Sequence, residues 1–191
     1  KVCSMCTADI KSNRFREMRK LRNNELGRLS TDDFKKSDKT PLIIVADNVR
    51  SFHNVGSLFR TADCFRAAHI YLCGLTPTPG SADMQKTALG ATESMDWTHV
   101  ESTVECIKSL QNDGYTVVAL EQAEGSIDLR EYVPQGPTAL VFGHEVVGVA
   151  QEVVNACDAI IEIAQFGTKH SLNVSVSAGI AMFEIHKKLT R

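Results

Sequence analysis

The stretch SLNVSVSAGIAMFEI, residues 171–185, decides how the rest of the chain reads. Ser175, Ser177, Ala178, Gly179 and Ala181 lie close together in it, so the last helix, predicted from about 172 to 189, can approach a neighbour closely. Its plain reading is an ordinary helix–helix contact. Upstream lies a loop with Gly167, and before it AIIEIA (159–164), a short apolar run that predicts a buried strand. Two earlier segments repeat the arrangement of strand, loop and polar side chain: LIIVADNVRSFHNVGSLFRTAD (42–63) and LVFGHEVVG (140–148).

Between these segments the pattern alternates. Strands are predicted at LIIVA (42–46), HIYLCG (69–74), WTHV (97–100), YTVVALE (115–121), TALVFG (138–143) and AIIEIA (159–164). Helices are predicted over 54–66, 82–90, 101–112 and 149–156, with a turn-rich loop at TPTPGS (76–81). Continuous apolar strands spaced by helices imply an α/β fold, a parallel sheet covered by helices on both faces. Residues 9–29 read as a helix and 30–40 as a polar linker ending at Pro41. The division is therefore a basic N-terminal helical arm with its linker (1–40) and one domain (41–191).

A chain of 191 residues with 43% hydrophobic content can bury one sizeable core. No apolar run approaches the roughly 18 residues of a membrane helix, and no charged-then-apolar leader opens the chain. The six cysteines are scattered. Cys64, Cys73, Cys106 and Cys157 read as small core residues, which fits a reducing, cytoplasmic setting. Cys3 and Cys6 have no second CxxC or paired histidine nearby, so zinc is not expected. His144 and His170 lack ligand spacing and read as loop-packing or RNA-facing groups.

The net charge of −2 hides an asymmetry. Residues 1–40 hold eleven basic and six acidic side chains, an excess of five positive charges; the remainder holds ten and seventeen, an excess of seven negative. A basic arm on an acidic body suits RNA docking. The alternative is a solvated amphipathic helix, since Phe15, Met18 and Leu21 recur every three residues.

In the first segment, Asn54 can cap a helix and Gly56 permits close approach. Arg60, read as lying about one turn further on the same face, offers a planar fork of donors for phosphate; its plain alternative is a surface salt bridge. In the second, the strand breaks at Gly143, where open α/β sheets admit ligands, and presents Glu145. Glu145 could position substrate or complement a helix dipole. No GxGxxG or P-loop competes.

Taken together and in this order, the three segments resemble the signature motifs of the SpoU-type (TrmH-like) RNA ribose 2′-O-methyltransferases of the SPOUT superfamily. The resemblance runs over about residues 41 to 188. It implies a SPOUT-type fold whose C-terminal segment, from about 138, threads a trefoil knot that demands closely packing helices. It implies S-adenosylmethionine as cofactor, no metal, RNA as partner and a homodimer. It implies a catalytic group of Asn54, Arg60, Glu145, Ser171 and Asn173, and a cofactor pocket drawing on Leu120, Gly143, Ile163, Gly167 and Leu172. Many relatives carry Pro-Met after the strand isoleucine, where this chain has Ala164-Gln165.

The implied reaction moves the sulfonium-activated methyl to a ribose 2′-hydroxyl, which requires alignment and loss of a proton. No His or carboxylate in the motifs is an obvious base. Arginine gives up its proton only above ~12, so Arg60 is better suited to gripping the phosphate beside the target ribose. A catalytically idle RNA-binding protein of the same fold is the main rival, and a SPOUT enzyme acting on a base nitrogen is another. The compact body and short arm favour tRNA over rRNA. The expected dimer interface uses the first-motif helix and the last helix, the latter through Val174, Ala178, Ala181 and Ile185.

Overall fold

The computed structural model describes residues 19–190. The chain divides into two units, with the boundary between Ser30 and Thr31.

In the first unit, residues 19–30 hold one 3-10 turn, Asn23–Glu25. Glu25 accepts both terminal nitrogens of Arg19 at 2.9 and 2.7 Å and the Arg22 backbone N–H at 2.7 Å. The helix expected over 9–29 is therefore absent from 19–29, and its first half lies outside the described residues. Asn23-Asn24 and Gly27, whose φ is +60°, favour turns, and the Glu25 carboxylate satisfies backbone locally instead of continuing a helix.

The second unit starts inside the expected linker. α1 (Thr31–Lys36) carries acids in its first turn and lysines in its last, as the helix dipole prefers. It buries Phe34, over whose ring the Lys39 ammonium sits at 4.0 Å. The apolar Phe34 is the cue that the reading of a polar linker overlooked. The remaining elements are β1 (Thr40–Asp47), α2 (Phe52–Cys64), β2 (Ala67–Cys73), α3 (Ala82–Ala88), α4 (Ala91–Ser94), β3 (Trp97–Val100), α5 (Thr103–Asn112), β4 (Thr116–Leu120), β5 (Ile127–Asp128), β6 (Thr138–Phe142), α6 (Gln151–Ala156), β7 (Ala159–Glu162) and α7 (Val174–Leu189). All the predicted strands are present; β5 and α4 are too short to have shown a periodicity.

Every strand pairing is parallel, in the order β3-β2-β1-β6-β4-β7-β5. The chain runs outward from β1 to β3, restarts at β4, and then inserts β6 between β1 and β4. The apolar runs are continuous because both faces are covered. Leu42, Ile44 and Ala46 of β1 join Leu140 and Phe142 of β6 in one core, beneath α2, α3 and α7. Ile43 and Val45 join Ala139 and Val141 in the other, beneath α5 and α6. Cys73 and Cys106 are buried as expected and Cys157 is half-buried, but Cys64 is exposed on α2. No helix among the described residues is long and apolar enough to cross a membrane.

One close approach fixes α2 against α3, and a looser contact joins α7 to α2. A Cβ on Gly56 of α2 would lie 2.4 Å from the Met84 carbonyl oxygen of α3. A Cβ on Gly179 of α7 would sit 4.0 Å from Thr61 of α2, ordinary contact. The small residues of α7 do serve close packing: Ala178, Ala181, Met182 and Ile185 are fully buried. That burial lies within the chain itself, so Ala178, Ala181 and Ile185 are not free to meet a partner. Half-buried Val174 lines the cavity described below. The exposed apolar side of α7 is Val176, Ile180 and Phe183.

Candidate active site

The carboxyl ends of β1, β4, β6 and β7 meet at the centre of the sheet, and the loops that follow them form the site. After β6 the chain turns at Gly143. A Cβ there would fall 2.2 Å from Gly148 C and Val149 N, so only glycine lets the loop fold back. The return is locked by paired hydrogen bonds between the His144 and Gly148 backbones at 3.0 and 2.9 Å. His144 Nδ1 accepts the Val146 N–H at 3.0 Å. Below the loop, the Glu121 carboxylate accepts the N–H groups of Val149 (2.9 Å) and Gln122 (2.8 Å).

This rigid loop projects Glu145 toward the turn after β1. Its carboxylate accepts the backbone N–H of Arg50 at 3.1 Å and of Ser51 at 3.0 Å, and the Asn54 side-chain amide at 2.8 Å. Burial pushes the Glu145 carboxyl up, but these bonds, from Asn54 first and then the backbone, outweigh it and leave the group below its ordinary value. Asn54 Oδ1 in turn accepts Asn173 Nδ2 at 3.2 Å. Asn173 Oδ1 caps α7, accepting Ser175 N–H at 2.9 Å. One polar chain, Glu145–Asn54–Asn173, thus joins the three motifs. It also corrects the sequence reading at Asn54: the cap of α2 is Ser51, whose hydroxyl accepts the Asn54 N–H at 3.3 Å, and the Asn54 side chain reaches Glu145 instead.

Beside this chain opens a cavity of roughly 290 Å³. Leu120, Phe142, Gly143, Ile163 and Leu172 line it with Glu145 and Ser171, so most of the expected pocket residues converge. Gly167 is not among them and has open space around its Cα. Glu121, Gln122 and Gln165 also line the cavity, as do His144 and His170. Gln122 Nε2 donates to the His170 carbonyl at 2.7 Å, tying the end of β4 to the loop before α7. Of these the sequence reading missed Glu121 and Gln122; their signal was a strand ending in two polar residues beside Leu120.

Arg60 stands apart. It is exposed on α2 and does not line the cavity. The expectation that it shares a face with the start of the helix fails on geometry. Six residues separate it from Asn54, one and two-thirds turns of helix, which places the two on different sides.

The sequence profile of the SpoU rRNA methylase family matches residues 41–183. A 23S rRNA (guanosine-2′-O-)-methyltransferase, RlmB, of Vibrio parahaemolyticus is 32% identical over 171 residues, 90% of this chain and 67% of that protein. The crystal structure of the Aquifex aeolicus TrmH/SpoU tRNA modifying enzyme superposes with a TM-score of 0.74 at 28% identity, covering 83% of this chain and 81% of that one. An AdoMet-bound rRNA methyltransferase from Sinorhizobium meliloti superposes with a TM-score of 0.71 at 28% identity, over 79% of this chain and 58% of that one. This chain therefore spans between about three fifths and four fifths of these relatives' lengths.

Proposed function

The chain belongs to the SpoU rRNA methylase family, and from that premise we propose that it transfers the methyl group of S-adenosylmethionine to a ribose 2′-hydroxyl of structured RNA. The observation that carries the reading is that the second and third motifs line one cavity, and the first is tied to both by the hydrogen-bond series Glu145–Asn54–Asn173.

The cavity fits the cofactor. Its apolar lining from Leu120, Ile163 and Leu172 suits an adenine ring, and the missing Cβ at Gly143 lets the loop fold back on itself at the cavity wall. When bound, the cofactor supplies an electrophilic methyl. The protein's own residues align the hydroxyl with it. Glu145 is no free base, because both its oxygens already accept hydrogen bonds; it holds the Arg50–Asn54 turn in place. His144 Nδ1 is likewise engaged. Arg60 grips the phosphate next to the target ribose, which orients the hydroxyl and stabilises charge developing there.

Arg60 reaches a cavity by lying opposite that of a second copy. The exposed stripe Val176, Ile180 and Phe183 on α7, packed against α2, supports a homodimer through these two helices. A trefoil knot accounts for the C-terminal path: β7 lies outside β4, yet α7 returns against β1 and β6, and Lys188 donates to the carbonyls of Leu129, Arg130 and Tyr132. Relatives act on both rRNA and tRNA; the compact body and short basic arm favour tRNA here.

The test is incubation with labelled S-adenosylmethionine and unmodified tRNA and rRNA, followed by mapping of ribose-methylated nucleotides. Label on ribose supports the reading. RNA binding without transfer identifies an idle binding protein, and label on a base identifies a different enzyme.

A further inference from the structure

Residues 50–53, Arg-Ser-Phe-His, do not line the cavity but follow β1 and are tied to a residue that does, Glu145. Glu145 lines the cavity and at the same time holds the backbone of Arg50 and Ser51 and the side chain of Asn54. Phe52 is therefore held in the chain between two residues anchored on Glu145, Ser51 and Asn54. It nonetheless stays 41% exposed and belongs to neither core. No aromatic partner stacks on it among the described residues.

A single exposed apolar side chain needs no explanation in general. This one is set apart by its surroundings. Arg50 and His53 flank it, both exposed, and Arg50 makes no ion pair among the described residues. The carboxylates nearby are spent: Glu145 on amides, and Asp83, which faces His53, on Lys86 at 2.7 Å. A rigid aromatic face beside an uncompensated guanidinium is complementary to a nucleotide, with base on ring and phosphate on arginine.

We propose that Phe52 is the stacking platform for a base of the RNA substrate, at or next to the methylated nucleotide, with Arg50 on the adjoining phosphate. The inference rests on the RNA methyl-transfer reading above. It assigns Phe52 a positioning role on the substrate side, separate from the cofactor cavity.

Phe52→Ala, Phe52→Tyr and Phe52→Leu in the full chain separate the possibilities, with unmodified bulk tRNA and rRNA as methyl acceptors. Loss of stacking on alanine substitution should lower kcat/KM for RNA by about 5- to 150-fold. Cofactor affinity by calorimetry and sedimentation should match wild type. Phe52→Tyr should retain activity, while Phe52→Leu, apolar but without a ring, should not. Equal activity of the leucine and tyrosine variants, or an unaffected alanine variant, overturns the proposal. So does a change of assembly state in Phe52→Ala, which makes the residue part of a contact between copies. A second readout needs no turnover. The only tryptophan is Trp97, so a Phe52→Trp, Trp97→Phe protein reports on position 52 alone. Its fluorescence should be quenched by the same RNA, and an unchanged signal under saturating RNA overturns the stacking. Should wild type transfer no methyl group, the functional reading falls by itself, and the quenching still decides whether position 52 meets a base.

Discussion

Glu145 and Arg60 are the two charged residues of the expected catalytic group, and the fold treats them oppositely. Glu145 is half-buried on a locked loop, and both its oxygens are occupied by donors from the turn after β1. Arg60 is exposed, outside the cavity, on a different side of α2 from Asn54. The first pattern is that of a group whose work is finished at folding: it assembles the site. The second is that of a group whose partner comes from outside the chain. If the proposed function holds, the cavity half is preorganised for the cofactor, and the α2 half is completed by RNA and a second copy.

The contrast predicts a split in the response to mutation. Arg60→Ala should reduce methyl transfer by about a hundredfold to a thousandfold, on the scale of losing one charge-stabilising donor. Melting temperature and cofactor affinity should stay at wild-type values. Lysine should not rescue it, because an ammonium cannot reproduce the planar fork. Wild-type turnover in the alanine variant would break the distinction outright.

Glu145→Gln should behave in the other manner, lowering stability as well as activity. The fold-loss in kcat/KM should be smaller, about tenfold to a hundredfold, and the melting temperature should fall. The carboxyl lies below its ordinary value in the folded protein. Its stabilising contribution is then present above the unfolded value, near ~4.3, and is lost as pH falls through the folded value. Melting curves of wild type and Glu145→Gln should accordingly differ at neutral pH and converge in acid. A gap that widened on acidification would contradict the hydrogen-bonded carboxylate.

Whether the α2 half faces another copy can be read by mixing two inactive proteins, Arg60→Ala and a cavity variant such as Leu172→Asp. In a two-fold dimer with shared sites, half the randomly mixed dimers are mixed, and each holds one intact site. About a quarter of wild-type activity should therefore return. No recovery despite subunit exchange, or a monomer at micromolar concentration, refutes the shared site. A smaller effect concerns the first unit: removing residues 1–30 should weaken RNA binding several-fold and flatten its salt dependence, since fewer counterions would be released.

How much of this was legible in the sequence depends on period and distance. The strands were, because burial on both faces of a parallel sheet leaves continuous apolar runs such as Leu42–Ala46. Part of the cavity was, because Gly143 marks a loop at a strand end; Leu120, Ile163 and Leu172 came only from the resemblance to the family's motifs. The arm was not: Phe15, Met18 and Leu21 suggested a helical stripe, but at 19–29 Glu25 caps a local turn instead. The apolar face of α7 was misassigned because small residues look equally suited to a core and to a partner; only the structure separates buried Ala178 and Ala181 from exposed Ile180 and Phe183. Glu121 and Gln122 escaped because their partners, Val149 and the His170 carbonyl, lie 28 and 48 residues away.

The smallest predicted effect tests the link between the halves. Asn173 caps α7 through its oxygen and reaches Asn54 through its nitrogen. Asn173→Ala removes both functions, whereas Asn173→Asp keeps the cap and loses the donor. Loss of the cap should cost about 1 kcal/mol, which lowers the melting temperature by about 2–4 °C in a chain of this size. The aspartate variant should melt close to wild type and yet lose activity, because it places a second carboxylate near Glu145 where the amide bridged to Asn54. If both variants melt alike and keep full turnover, the series Glu145–Asn54–Asn173 is architecture without consequence for the reaction. If only alanine lowers the melting temperature while both lose turnover, the cap belongs to the fold and the amide to the site.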